Sequence, residues 1–224
     1  MKAVHEHEFE AAHGLPEALP AGEKVLWQGS PDWRVLAREV FHVRKLALYF
    51  GLLLVWRVVA AVSDGAGAGS ALLGALPLAV LAAACLSMLC ALGWLMGRTS
   101  VYTITGQRVV MRVGIVLTVT FNLPFTRIEA AALRKGRGGH GDIALSLARG
   151  DQIGYAHLWP HARPWHLKHT EPMLRALPEA QAVARLLSQA LADAAARARP
   201  APGLASNDAT LAGPRRLPGR ALAA

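Results

Sequence analysis

The residues best suited to do chemistry are crowded into one short segment of the C-terminal half. Tyr155–Thr170 reads YAHLWPHARPWHLKHT and holds four histidines, two tryptophans and one arginine. Histidines three or four positions apart could bind a metal on a helix, but two prolines disfavour a helix and no carboxylate or cysteine joins them. Tryptophan and arginine typically anchor protein interfaces. The segment therefore predicts a partner-binding loop without a metal, with these contact residues: Trp159, Pro160, His161, Arg163 and Trp165.

A second candidate is the glycine-rich basic segment Arg134–Gly141, RKGRGGHG. A phosphate-binding loop of the GxxxxGK[ST] type follows a strand and opens a helix, and that pattern is absent. The GxSxG and HExxH motifs are absent as well, and no pair of carboxylates has a convincing spacing. The segment is therefore predicted to join two strands and touch anionic lipid head groups, and the chain is predicted not to be an enzyme.

Two apolar segments must position these loops. Leu46–Val62 carries a single charge, and Ala71–Met96 carries none. As helices they would be roughly 26 and 39 Å long, against a hydrocarbon core of about 30 Å. They predict a transmembrane hairpin with helices at 46–62 and 71–97 and a periplasmic loop at 63–70.

The charge distribution predicts the orientation of this hairpin. The chain has 24 lysines and arginines against 15 acidic residues, and 53% of it is hydrophobic. Arg44, Lys45 and Arg98 flank the apolar segments, so the positive-inside rule places both termini in the cytoplasm. Membrane flanks and a basic tail account for most of the cations, so no nucleic-acid partner is predicted. The expected location is the bacterial inner membrane.

Several residues of the hairpin are candidates for contacts within the bilayer. Arg57 lies near the far end of the first helix, where snorkelling to the outer interface is favoured over pairing with a partner's carboxylate, a pigment or a lipid head group. Trp33 is either an interface anchor or part of the core of the soluble module. Small residues permit close helix packing, and four are predicted to meet partner helices: Gly51, Gly74, Ala82 and Gly93.

The remaining segments predict the soluble part. Residues 98–197 alternate β-rich segments with turns and end in an amphipathic helix at 178–197. Residues 22–45 hold a first strand and a juxtamembrane segment, 1–21 form a polar arm, and 198–224 are predicted to be disordered. The fold class is thus an α+β membrane protein with a β-barrel or curved sheet capped by a helix. The predicted strands after the hairpin are Ser100–Thr105, Arg108–Val113, Val116–Asn122, Arg127–Leu133 and Asp142–Leu147.

Four stretches resemble the bacterial membrane-associated PH-like domain. They are GEKVLWQGSPDW at Gly22–Trp33, YTITGQRVVMRVG at Tyr102–Gly114, LPFTRIEA at Leu123–Ala130 and GDIAL at Gly141–Leu145. This resemblance implies a PH-like barrel that a C-terminal helix closes, with a helical hairpin inserted near the first strand.

A narrower resemblance rests on Gly14–Phe50 and on LWPHARPWHLKHTEPMLRALPEA at Leu158–Ala180. Both are similar to the PuhB family of photosynthetic complex assembly proteins of purple bacteria, over roughly residues 8–195. The resemblance implies assembly of the reaction centre with its core antenna, light-harvesting complex 1, in the intracytoplasmic membrane. It implies partner contacts and no catalytic residues. The subunit that is contacted, and whether the protein forms a homodimer, stay open.

Three other functions also stay open at this stage. One is a general lipid-binding PH-like adaptor for another membrane complex. Another is a bacteriochlorophyll carrier in which His42 or a loop histidine ligates the magnesium. The third is an enzyme that uses the histidine cluster with a metal, although the cluster lacks an acidic partner. No cofactor is predicted, with bacteriochlorophyll as the alternative.

Overall fold

The computed structural model describes residues 15, 19–115, 117–148, 153–167 and 169–198. Most of the predicted polar arm at 1–21 and nearly all of the predicted disordered tail at 198–224 lie outside these residues. The described part consists of a helical hairpin, two β-sheets and a long C-terminal helix.

The hairpin is built from α2 (Val43–Ser63) and α3 (Ala68–Thr99). Both helices are long and apolar enough to cross a membrane. No residue of α2 is buried, and α3 buries only the face that carries Ala71, Ala75, Ala82 and Gly93. The described part of the chain therefore leaves most of this apolar surface uncovered, unlike the core helix of a soluble protein.

The strands form two open antiparallel sheets. The first has the order β1-β2-β3-β4 and the second the order β5-β6-β7. A short 3-10 turn, Phe125–Arg127, connects β4 of the first sheet to β5 of the second. No described strand of one sheet pairs with a strand of the other. A closed barrel, one of the two predicted forms, is therefore wrong. The strands are β1 (Val25–Gly29), β2 (Val101–Thr105), β3 (Arg108–Val113), β4 (Val119–Pro124), β5 (Ile128–Lys135), β6 (Gly141–Leu147) and β7 (Met173–Leu177).

One core joins both sheets to the C-terminal helix α5 (Ala180–Ala198). The predicted apolar stripe of this helix is confirmed, since Val183, Leu187 and Ala190 are buried in that core. Full burial of one leucine side chain is worth about 1.5–3 kcal/mol, so the helix contributes much of the module's stability. The predicted capping of the sheets by this helix is thus confirmed.

The hairpin is inserted between two paired strands. β1 precedes α2, β2 follows α3, and the two strands pair antiparallel. The side-chain amide of Gln28 also donates a hydrogen bond of 2.9 Å to the Thr103 hydroxyl. Both ends of the hairpin are therefore held side by side at the edge of the first sheet.

A short helical segment, not predicted from the sequence, lies between β1 and the hairpin. It comprises α1 (Trp33–Val35) and a π-helical turn, Leu36–Val40. The Asp32 carboxylate caps α1 by accepting a hydrogen bond of 2.8 Å from the Arg34 amide. We call residues 33–40 the pre-hairpin segment.

Candidate functional site

The histidine- and tryptophan-rich segment forms a projecting loop between α4 (Tyr155–Leu158) and β7. An isolated antiparallel bridge between Ala162 and Pro172 closes its base. There the Arg163 amide donates to the Glu171 carbonyl (2.9 Å). We call residues 163–171 the tryptophan loop.

An ion pair also stabilises the base of this loop. Arg163 Nη1 lies 2.7 Å from Glu171 Oε2, and the Ser146 hydroxyl donates to Glu171 Oε1 at 3.0 Å. Partial burial opposes ionisation of Glu171, yet these two hydrogen bonds lower its pKa below the ordinary value. The predicted contact residue Arg163 therefore has a carboxylate partner within its own chain and serves to hold the loop.

His161 lies inside the protein. Its side chain is only 1% exposed, with Nδ1 2.6 Å from the Tyr102 hydroxyl and Nε2 3.3 Å from the Ser100 hydroxyl. Burial, aided by the positive charge of Arg175, lowers the pKa of His161 to about 3, so the ring is neutral near pH 7. Pro160 is buried as well. Both were predicted on an exposed contact surface, and in the structure they position the loop instead.

The two tryptophans are the exposed members of the predicted set. Trp165 is 92% exposed and has a left-handed backbone with φ 67°, which is unfavourable for a non-glycine residue. Leu167 in the same loop is 65% exposed. Trp159 is 51% exposed, and its ring makes a T-shaped contact with the Phe41 ring, with centroids 6.0 Å apart. The tryptophan loop thus presents Trp165 and Leu167 above a closed base, and Trp159 is exposed just before the loop in the chain.

Some of the predicted small residues of the hairpin are covered by other parts of the chain, and others are exposed. A Cβ at Gly93 would lie 3.3 Å from the Ala37 Cβ, so this position is covered by the pre-hairpin segment rather than left for a partner helix. Ala82 is buried. A Cβ at Gly74 would lie 3.6 Å from Arg57 Nη2, whereas one at Gly51 would meet nothing within 4 Å.

The predicted interface anchor Trp33 lies at the junction of the hairpin and the sheets. A Cβ at Gly97 of α3 would lie only 2.7 Å from the Trp33 Cβ, so that glycine permits the contact. Trp33 is 37% exposed, and the Arg34 guanidinium carbon lies 5.5 Å from the centroid of its ring. A tryptophan with a cation beside it suits a membrane–water interface.

Charged groups fix the same junction, and the sequence reasoning missed them. Asp142 forms an ion pair with Arg134, and the His140 ring nitrogen Nε2 lies within hydrogen-bond distance, 3.1 Å, of Asp32 Oδ2. Asp142 also accepts a hydrogen bond of 2.8 Å from the Ala176 amide, while the Asp32 amide donates to the Ala176 carbonyl at 2.9 Å. The chain just before the hairpin is therefore bound to β7 and to the residues at the start of β6. A signal was present in the sequence, since Asp142 is a carboxylate placed within an apolar strand.

Comparisons with known proteins agree with this fold. The family described as the bacterial PH domain matches residues 46–191. The "uncharacterized 23.7 kDa protein in puhA 5′ region" of Rhodobacter capsulatus is 43% identical over 188 residues, which cover 83% of this chain and 87% of that protein. No solved structure matches the chain. Within the described residues, no three histidine, cysteine or acidic side chains are grouped so that they could hold a metal ion.

Proposed function

Because this chain belongs to the bacterial PH domain family, we propose that its two sheets form a protein-binding module that the helical hairpin anchors in the bacterial inner membrane. In this arrangement both helices cross the bilayer and both termini lie in the cytoplasm, as the basic residues at the hairpin's ends favour. The module acts as an assembly factor for the photosynthetic reaction centre and its core antenna. It works by contacts with their subunits and without catalysis.

The observation that carries this proposal is the conformation of Trp165. A tryptophan that is 92% exposed contributes almost nothing to folding, and its left-handed backbone costs of order 1–3 kcal/mol. A binding role explains why such a residue stands on a loop whose base is closed by a buried histidine and an ion pair. Large aromatic residues on pre-ordered loops are typical interface hot spots.

The choice of partner is supported by sequence similarity to other proteins rather than by the geometry of the structure. Two stretches of the sequence resemble photosynthetic complex assembly proteins, and one of them, Leu158–Ala180, contains the tryptophan loop. The 43% identical relative is named for its position in the 5′ region of puhA, which is consistent with that resemblance. The proposed partners are therefore reaction-centre or core antenna subunits in the intracytoplasmic membrane.

The test is deletion of the gene in a phototrophic host, followed by near-infrared absorption spectra of its membranes. We expect loss of the reaction-centre and core antenna bands, with peripheral antenna retained. Complementation with Trp165→Ala should restore the bands poorly. Loss of a hot-spot tryptophan costs about 2 kcal/mol or more, or roughly a thirtyfold weaker complex.

The matched control is Leu26→Ala, which truncates another exposed apolar side chain of the same module, on β1. It should restore the bands as fully as the native gene, with both variants at equal levels in immunoblots. Unchanged spectra in the deletion strain would refute the assembly role. Equal restoration by the two variants would refute the role of the tryptophan loop. Near-infrared absorbance that co-purifies stoichiometrically with the protein would favour a pigment carrier instead.

A further inference from the structure

A cavity of about 380 Å³ opens where the hairpin meets the sheets. It is lined by residues from three places: the pre-hairpin segment, the first turns of α2 and the β5–β6 loop. Such a volume is within the range of small-molecule sites. The polar and charged lining residues are Arg38, Glu39, Arg44, Lys45 and Arg137, and Leu48 forms an apolar wall.

The charge of this cavity is strongly positive. Four cations face one carboxylate, and Glu39 lies 3.9 Å from Arg134, a further cation. No described residue forms an ion pair with Arg44, Lys45 or Arg137, and all three are exposed. His42 gives α2 no side-chain cap, so the amides at the start of this helix add to the positive potential. The cavity is therefore suited to an anion.

The apolar wall indicates what kind of anion. Leu48 lies three and four residues after Lys45 and Arg44, on the same side of α2, and is 66% exposed. One turn further along the helix, Leu52 is 62% exposed. A ligand with a phosphate among the cations and an alkyl chain along α2 would match both features. An acidic peptide or free phosphate would leave the apolar wall unused.

We propose that this cavity binds the head group of an anionic phospholipid from the cytoplasmic leaflet. Arg44 and Lys45 reach the phosphate from the hairpin, and Arg137 reaches it from the β5–β6 loop. The lipid thereby joins the hairpin to the second sheet and fixes the module against the membrane surface. The site relies on the membrane orientation stated above and is independent of the protein partner.

The test uses the full-length protein in a nonionic detergent and follows its thermal unfolding as lipid is added. Dioctanoyl phosphatidylglycerol should raise Tm in a saturable manner, because a ligand of the folded state stabilises it. Dioctanoyl phosphatidylcholine and inorganic phosphate should not. Each cation near a membrane surface is worth about a fivefold change in affinity. We expect Arg137→Gln to weaken the apparent affinity about fivefold, and Arg44→Gln/Lys45→Gln about 25-fold.

The matched control is Lys24→Gln/Arg185→Gln, which removes one lysine and one arginine that are exposed outside the cavity. It should bind phosphatidylglycerol as the native protein does. Equal losses in the two double variants would overturn the proposal in favour of a general charge effect. A saturable rise in Tm with inorganic phosphate alone would overturn the proposal that the ligand is a lipid. An equal rise with phosphatidylcholine would overturn the proposal that the lipid must be anionic. Arg137→Gln lies outside the hairpin, so unchanged binding in that variant would overturn the site even if the double variant failed to fold.

Discussion

The buried histidine makes the stability of the soluble module depend on pH. His161 has a pKa of about 3 in the folded protein, against 6.5 when unfolded. Below about pH 6.5 the unfolded chain therefore binds a proton that the folded protein excludes, and stability falls as pH falls. Each pH unit below that point costs about 1.4 kcal/mol, so acidification from pH 6.5 to 5.0 should cost about 2 kcal/mol.

The assay is urea unfolding of the full-length protein in nonionic detergent, followed by tryptophan fluorescence between pH 7.5 and 5.0. The His161→Gln variant should be less stable at pH 7.5 by about 1–3 kcal/mol, because the buried Ser100 and Tyr102 hydroxyls lose their hydrogen bonds to the imidazole and Tyr102 keeps only the one from the Arg175 amide. Its stability should nevertheless change little with pH over this interval. The two proteins should therefore approach each other in stability as the pH falls.

The control is His157→Gln, which removes an exposed histidine only four residues away. It should keep the pH dependence of the native protein. Parallel pH profiles for the native protein and His161→Gln would refute the reasoning, because they would show that this ring is not held neutral inside the folded module.

Two further substitutions test other parts of the structure by the same unfolding assay. Gly97→Ala should destabilise the junction by about 1–3 kcal/mol and speed tryptic cleavage at Arg34 and Arg38, because a Cβ there would lie 2.7 Å from the Trp33 Cβ. Gly51→Ala should be neutral or slightly stabilising, because a Cβ there meets nothing within 4 Å and alanine favours a helix more than glycine does; equal effects of the two substitutions would contradict the packing. Trp165→Gly should raise the free energy of unfolding by about 0.5–1 kcal/mol, because glycine adopts a left-handed backbone without strain, and it should impair assembly. A lower free energy of unfolding would show instead that the tryptophan packs within the module.

Much of the fold was predictable because its patterns are local. Strands at Ser100–Thr105 and Arg108–Val113 follow from β-branched residues around a tight turn, and they are confirmed as β2 and β3. The predicted strand Val116–Asn122 is found as β4, which begins at Val119; its predicted first residue, Val116, lies outside the described residues, and residues 117 and 118 are not in a strand. β7 was missed, because MLRAL carries a central arginine that is unexpectedly buried. Short strands with a buried charge give no alternating pattern.

The candidate site was only partly predictable, for a physical reason. The composition of the segment identified the tryptophan loop as a candidate site. It could not show which residues are exposed and which are buried, because His161 is buried against Ser100 and Tyr102, about 60 positions away in the sequence. The spacing of these two residues did carry a signal. Positions 100 and 102 point to the same side in an extended chain, so two hydroxyls on one face of an apolar strand require a buried polar partner.

The pairing of β1 with β2 imposes an order on folding. Residues 30–100, which include both helices of the hairpin, lie between these two strands. The strand β1 is therefore synthesised long before its partner β2. Closing so long a loop by diffusion is entropically costly, whereas a formed hairpin delivers β2 directly to β1. Until then β1 is an unpaired edge, open to proteases and chaperones. Completion of the first sheet is therefore expected to follow folding of the hairpin.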